Sequence, residues 1–119
     1  MTYATFRTLY TNAKECTNLS DYIHQNTKAM EDEFGKETKL LLKAVWELSE
    51  DYSAACLFRV CARTQASVYK AYDMPRRTVQ AWVLGEKKPH DYNLSLLAAD
   101  MLTETFGKNR TFSQNPIDK

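Results

Sequence analysis

The segment from residue 64 to residue 89, TQASVYKAYDMPRRTVQAWVLGEKKP, constrains the fold most, because its apolar spacing changes halfway along. Val68 and Tyr72 are four residues apart, and Val79 and Trp82 are three apart. Both spacings place two side chains on one face of a helix, but a single helix or a single strand does not account for all four residues. The pattern therefore predicts two short helices joined by a turn.

Residues with strong local preferences mark the ends of both helices. Thr64 predicts the N-cap of the first, because its hydroxyl can accept from an amide one turn into the helix. The break falls near Asp73 and Met74, with the Met74 side chain beneath both helices. Pro75 predicts the start of the second helix, where its missing N–H would have no partner anyway. Gly85 predicts the end of that helix, since glycine adopts a left-handed C-cap without steric cost.

The outer face of the second helix carries side chains suited to a DNA groove. If Val79 and Trp82 face the core, then Arg76, Arg77 and Gln80 face solvent. Arginine can donate two parallel hydrogen bonds to guanine, and glutamine can pair in the same way with adenine. We predict that these three residues contact DNA bases.

Four further residues are predicted to contact DNA phosphates, which fix the position of a protein on the duplex without reading its sequence. Gln65 starts the first helix, Thr78 lies on the second, and Lys87 and Lys88 follow it directly.

The segment resembles the helix-turn-helix of Xre-type phage and bacterial repressors, and in particular a small firmicute and phage subgroup. The signature of that subgroup is Pro-x-Arg-Thr-(Val/Ile)-x-x-Trp-x-x-Gly-x-x-x-Pro, present here from Pro75 to Pro89. The matching residues are Gln65, Val68, Tyr72, Met74, Pro75, Arg77, Thr78, Val79, Trp82, Gly85 and Pro89. The resemblance implies a bundle of four or five helices, operator binding usually as a dimer, and recognition through the helix from Pro75 to about Leu84.

Two positions depart from that family pattern. Tyr69 stands where such motifs usually have alanine, which lets the two helices approach closely. Its ring must either point out of the contact between the helices or widen their crossing angle. Asp73 stands where glycine is frequent in the turn, and aspartate tolerates the left-handed conformation better than most residues.

The charge distribution supports a polyanionic partner for this segment. Residues 1–52 contain six basic and nine acidic residues, whereas residues 53–119 contain ten and six. Between residues 59 and 88 the numbers are seven and two. Positive charge is thus concentrated on the predicted helix-turn-helix, as nucleic-acid binding requires. An ordinary solvated helix face is the alternative.

The whole chain is predicted to be an all-α helical bundle. Only three glycines and three prolines are present, and no long run alternates between apolar and polar residues. Outside the motif we predict helices over residues 3–15, from a cap at Asn18 or Ser20 to about residue 26, and over 28–34, 38–49 and 53–63. A last helix runs from a cap at Asp91 to about residue 106 and is ended by Gly107. These helices predict a helical N-terminal region over 1–52, a helix-turn-helix domain over 53–107, and a disordered tail over 108–119.

The apolar spacing also predicts which side chains of these helices face the core. The helix over 38–49 should bury Leu41, Ala44, Val45 and Leu48. The apolar stripe of the helix over 3–15 is Tyr3, Phe6, Tyr10 and Ala13. The inward residues of the helix over 53–63 are Leu57, Phe58 and Cys61.

Several features have two interpretations. Trp46 either packs on the helix-turn-helix domain or the first helix, or anchors a partner. The acidic run of residues 31–33 either is a solvated face or a helix N-terminal turn, or faces a basic partner. Arg59 and Arg63 either contact phosphates or only solvate the surface. Apolar residues beyond the main stripe of helix 91–106 could form a two-fold interface.

The reactive side chains do not suggest catalysis or a metal site. Cys16, Cys56 and Cys61 are odd in number and lack metal-ligand spacing, which favours reduced thiols in a reducing cytosol. His24 and His90 have no carboxylate or cysteine at ligand spacing. Phosphate-loop and hydrolase motifs are absent from the sequence. We expect a cytoplasmic protein without enzymatic activity, cofactor, signal peptide or membrane span.

The sequence therefore predicts a sequence-specific DNA-binding transcriptional regulator, and within that class a repressor that binds a short palindrome as a homodimer. The alternative is a protein-binding inhibitor, antitoxin-like or anti-CRISPR-like, built on a helix-turn-helix scaffold. In that case Tyr69, Trp46 and the acidic N-terminal region would form the surface for the protein partner.

Overall fold

The computed structural model describes residues 1–108, and their secondary structure is entirely helical. The elements in chain order are α1 (Tyr3–Glu15), α2 (Leu19–Phe34), a 3-10 turn (Gly35–Glu37), α3 (Thr38–Glu50), α4 (Ala54–Val60), α5 (Gln65–Ala71), α6 (Arg76–Leu84) and α7 (Asp91–Phe106). The predicted all-α fold class is confirmed. Of the predicted tail, residues 109–119 lie outside the described residues. Lys108 is tied to the fold, because its backbone N–H donates to the Glu33 carbonyl at 2.9 Å.

Helix α3 is the centre of the fold, and it packs against α1, α2, α4 and α7. The predicted face of Leu41, Ala44, Val45 and Leu48 is buried, and Leu42 joins it. A fully buried leucine contributes about 1.5–3 kcal/mol through removal of its side chain from water. Truncation of one of these leucines to alanine leaves a cavity as well, and costs about 2–5 kcal/mol.

Helix α1 covers one side of α3 and confirms the helix predicted over residues 3–15. Its buried residues are Phe6, Leu9 and Ala13. Tyr10, which belonged to the predicted apolar stripe, is half-buried at its edge and stacks on Tyr52 with ring centroids 4.9 Å apart.

Helix α2 corrects the prediction of two helices over residues 20–26 and 28–34, because it runs unbroken through both. Asn26 and Thr27 do not end it: each donates its side-chain hydrogen bond to the carbonyl four residues earlier, at 2.8 and 2.6 Å. Asn18 is the N-cap and accepts from the Asp21 amide at 2.8 Å, so Ser20 lies within the helix. The acidic run of residues 31–33 therefore lies in the last turns of α2.

Trp46 packs within the N-terminal region. Its ring is half-buried and lies against that of Tyr22 on α2, with centroids 5.5 Å apart. Trp46 therefore contacts α2, and neither α1 nor the helix-turn-helix domain provides this stacking partner.

Helix α4 is shorter than predicted. It ends at Val60 with Cys61 as its cap, followed by Ala62 in a left-handed conformation with a φ of 54°. The Arg63 amide donates back to the Phe58 carbonyl at 2.8 Å, which closes a Schellman-type ending. The predicted inward residues of this helix, Leu57, Phe58 and Cys61, are buried.

Helix α7 returns along α1 and α3. Asp91 is its first helical residue and the cap position is His90, which makes no side-chain capping bond, so the prediction of Asp91 as the cap is wrong by one residue. Gly107 ends the helix as predicted, but in an extended conformation.

One hydrophobic core joins the regions predicted as 1–52 and 53–107. Phe6 and Leu42 belong to the same buried cluster as Val68, Val79 and Leu102. Within residues 1–108, no helix combines the length and the apolar character that crossing a bilayer requires.

The cysteines are free thiols with different exposures. Cys56 and Cys61 are buried, and Cys16 is half-buried. Burial raises the pKa of the Cys61 thiol to about 11. His24 and His90 are exposed. Among the described residues, no three acidic, histidine or cysteine side chains come together as metal ligands.

Candidate nucleic-acid interface

Helices α5 and α6 pack on each other, and the turn between them is built by backbone hydrogen bonds. The Tyr72 amide donates to the Val68 carbonyl at 3.0 Å, and the Met74 amide donates to the Tyr69 carbonyl at 3.0 Å. Asp73 between them has a φ of 50°, so its backbone is left-handed as expected for this turn. The connection between the two helices is thus four residues long, from Tyr72 to Pro75.

The predicted caps of both helices are present. The Thr64 hydroxyl accepts from the Ser67 amide at 3.0 Å, as predicted for the N-cap of α5. Pro75, predicted as the first residue of α6, is instead its N-cap, so this prediction is wrong by one residue; its carbonyl accepts from the Thr78 amide at 3.0 Å. Gly85 ends α6 in a left-handed conformation with a φ of 79°.

Tyr69 and Met74 lie at the edge of the core beside this turn. Both are half-buried and pack against the buried cluster that contains Val68 and Val79. With Tyr69 at this position, Val68 and Val79 remain fully buried.

The outward side of α6 presents a continuous face of four exposed residues, which we call the α6 face: Arg76, Arg77, Gln80 and Leu84. At about 100° per residue these four fall within about 100° of one another around the helix axis. Val79 and Ala81 are buried on the other side. The structure therefore brings together the three predicted base-contacting residues.

Leu84 was not singled out from the sequence. Its side chain is 63% exposed and continues the row that Arg76 and Gln80 begin at intervals of four residues. That interval is the sequence signal for its outward position, because residues four apart lie on the same face of a helix. In a DNA groove, an apolar side chain can contact a thymine methyl group.

The polar side chains of the α6 face have no partners among residues 1–108. In the part of the chain that the structure describes, Arg76, Arg77 and Gln80 form no side-chain hydrogen bond and no ion pair. Their hydrogen-bonding capacity is therefore available to a ligand, and no internal contact must break when one binds.

Lys87 and Lys88 lie directly beyond the end of α6. The Lys87 amide donates to the Ala81 carbonyl at 3.3 Å, so the backbone of this segment is fixed to the last turn of the helix. Both lysine side chains are exposed and, among residues 1–108, neither has an ion-pair partner. Two cations therefore flank the α6 face at its C-terminal end.

The other two predicted phosphate contacts have different surroundings. Gln65 is exposed at the first position of α5. Thr78 is half-buried and lies about 160° around the α6 axis from Gln80, so it is separate from the α6 face.

Arg59 and Arg63 interact with residues outside the α6 face. The Arg59 guanidinium pairs with the Glu47 carboxylate of α3 at 2.9 Å, and this hydrogen bond raises its pKa. Arg63 is half-buried near Tyr72. The charge of Arg59 is therefore partly balanced within the protein.

Helix α5 is attached to α7 through Tyr72. The Tyr72 hydroxyl donates to the Asp100 carboxylate at 2.5 Å. Burial, followed by this hydrogen bond, raises the pKa of Tyr72, while the nearby Arg63 guanidinium acts in the opposite direction. This contact fixes the turn between α5 and α6 relative to the C-terminal helix.

Searches with protein-family models, among curated proteins and among solved structures found no match to this chain.

Proposed function

We propose that this protein is a sequence-specific DNA-binding regulator whose α6 helix enters the major groove. The observation that supports this most is the α6 face, where two arginines and a glutamine are exposed, adjacent and without partners among the described residues. The major groove is wide enough to admit a helix, and those residue types pair with guanine and adenine edges. Base contacts come from Arg76, Arg77 and Gln80, and phosphate contacts from Gln65, Lys87 and Lys88.

The regulatory role we propose is that of a repressor that binds a palindrome as a dimer. Two copies related by a two-fold axis present two α6 helices to half-sites one helical turn apart. Tyr92 and Leu96 of α7 are 57% and 41% exposed, which makes them the apolar residues we assign to the contact between copies.

The test begins with random duplex DNA, because a DNA-binding protein must bind it with an affinity that falls steeply with salt. Fluorescence anisotropy of a labelled duplex measures this directly. Binding sites are then selected from a random library. A protein-binding inhibitor on the same scaffold shows no salt-dependent DNA binding and yields no enriched site, and that result would refute the proposal.

Substitution of Arg77 by alanine tests the assignment to base reading. On the selected site we expect a loss of about 1–3 kcal/mol, which is about 5- to 150-fold in affinity. On random DNA the loss should be smaller, since a base contact contributes specificity. Lys39→Ala is the matched control, because Lys39 is an exposed cation on α3 outside the interface.

A further inference from the structure

A cavity of about 310 Å³ lies between the C-terminal end of α6, the start of α4 and the start of α7. Its walls include Trp82 of α6, Ala54 of α4, Leu94 of α7 and Tyr52. Lys87 and Lys88, from the segment after α6, also line it. By volume the cavity corresponds to about ten water molecules, the lower end of the range for small-molecule sites.

The walls are mostly apolar. Ala54 and Leu94 are buried and have no polar side-chain atoms. The Tyr52 hydroxyl is already bonded to Ser95 and to the Asp91 carbonyl, so Tyr52 offers mainly its ring to the cavity. The Trp82 indole N–H makes no hydrogen bond within residues 1–108 and is a donor for an incoming acceptor.

The charges at this cavity are predominantly positive. Lys87 and Lys88 have no ion-pair partner among the described residues. Asp91 is the acidic residue of the lining, and its carboxylate lies 3.5 Å from the Arg7 guanidinium. An anionic group near the two lysines therefore meets uncompensated positive charge, and an apolar group fits the walls.

We infer that this cavity binds a small carboxylic acid with an aromatic or branched hydrocarbon body. Its carboxylate lies beside Lys87 and Lys88, and its body packs between Trp82, Ala54 and Leu94. A ligand of about ten to fifteen non-hydrogen atoms matches the volume.

Occupancy of the cavity lowers the affinity for DNA, an effect that depends on the proposed DNA-binding function. The ligand carboxylate neutralises the same two lysines that contact phosphates in our proposal. The loss of one phosphate contact reduces the negative slope of log K against log salt by about 0.9. At about 0.1 M salt this corresponds to about an eightfold loss of affinity for DNA. The ligand therefore acts as an inducer that releases the protein from DNA.

The test of ligand binding uses the full chain without DNA. The two tryptophans, Trp46 and Trp82, give two indole N–H signals in a ¹⁵N correlation spectrum, and Trp82→Phe identifies which is which. Phenylacetate is the probe, with 2-phenylethanol as the uncharged analogue and acetate as the charged group without a ring. We expect a saturable shift of the Trp82 signal with phenylacetate, at least tenfold weaker binding of the two analogues, and an unchanged Trp46 signal. No Trp82 shift, or equal affinity for 2-phenylethanol, overturns the proposal.

Replacement of both lysines tests the assigned position of the carboxylate. Lys87→Gln with Lys88→Gln should weaken phenylacetate binding at least tenfold, whereas Lys39→Gln should leave it unchanged. Both variants alter exposed side chains, so the fold is retained and the comparison is direct. An unchanged affinity in the double variant overturns the placement.

The DNA measurement separates this inference from the proposed function. Saturating phenylacetate should weaken binding of random duplex DNA about eightfold or more at 0.1 M salt. If the Trp82 shift is observed but the protein binds no DNA, the ligand site stands and the proposed function fails. If DNA binds and phenylacetate at saturation leaves its affinity unchanged, the coupling is wrong.

Discussion

Removal of the two lysines after α6 should change how DNA binding depends on salt. Lys87 and Lys88 are exposed, fixed to the end of α6 by a backbone hydrogen bond, and without ion-pair partners among the described residues. Each lysine that neutralises one phosphate releases condensed counterions and contributes about 0.9 to the negative slope of log K against log salt. The double substitution to alanine should therefore reduce the slope by about 1.8.

The size of the effect follows from that slope. The quantity to compare is the affinity at about 50 mM salt divided by the affinity at about 200 mM salt. A loss of about 0.9 in slope lowers this ratio about 3.5-fold, and a loss of about 1.8 lowers it about 12-fold. Anisotropy titrations of one labelled random duplex at four or more salt concentrations can resolve a change of this size.

Two control variants make the result specific. Arg59→Ala removes a cation that is already paired with Glu47 at 2.9 Å, so its effect on the slope should be smaller. Lys39→Ala removes an exposed charge on α3 and should leave the slope unchanged. The reasoning fails if the lysine variant retains the wild-type slope, or if Lys39→Ala changes the slope as much.

The remaining predictions concern the scaffold that carries the α6 face. Two opposite exchanges at left-handed helix ends should shift the free energy of unfolding, measured in urea, in opposite directions: Ala62→Gly should stabilise and Gly85→Ala should destabilise, each by about 1 kcal/mol. A shift of the same sign in both would contradict the left-handed assignments, and Gly85→Asn should cost less than Gly85→Ala. Tyr72→Phe, which loses the 2.5 Å hydrogen bond to Asp100, should cost about 1 kcal/mol, and no loss would show that solvent replaces this contact. Burial raises the pKa of Cys61 from 9.0 to about 11, so the native state keeps a proton that the unfolded chain loses in this interval. Stability should therefore fall by about 2–3 kcal/mol as pH rises from about 9 to 11, and Cys61→Ala should remove that part of the decrease.

Features with a local cause could be predicted from the sequence. Thr64 caps α5 and Gly85 ends α6 because hydroxyl capping and left-handed glycine depend only on the nearest few residues. The buried face of α3, including Leu41 and Leu48, follows from the helical period alone. The same periodicity identified the outward position of Arg77.

Features that depend on contacts between distant residues could not be predicted. Asn26 lies within α2, although asparagine favours helix ends, because its amide bonds back to Tyr22 and accepts from Asn12 on α1 at 3.0 Å. Ala62 adopts a left-handed conformation that alanine disfavours, where the chain leaves α4. At Asn26 the contact with α1 outweighs the local preference. At Ala62 the left-handed conformation lets the Arg63 amide donate to the Phe58 carbonyl at 2.8 Å.

The sequence alone determined the helices of the motif, their caps and the outward position of Arg76, Arg77 and Gln80, because a helix repeats every 3.6 residues whatever surrounds it. The tertiary structure decided the rest. It placed the Arg59 guanidinium on Glu47, left Lys87 and Lys88 without ion-pair partners among the described residues, and enclosed a cavity at the C-terminal end of α6. Charge balance and cavities depend on which surfaces come into contact when helices pack, and local sequence patterns do not specify those contacts.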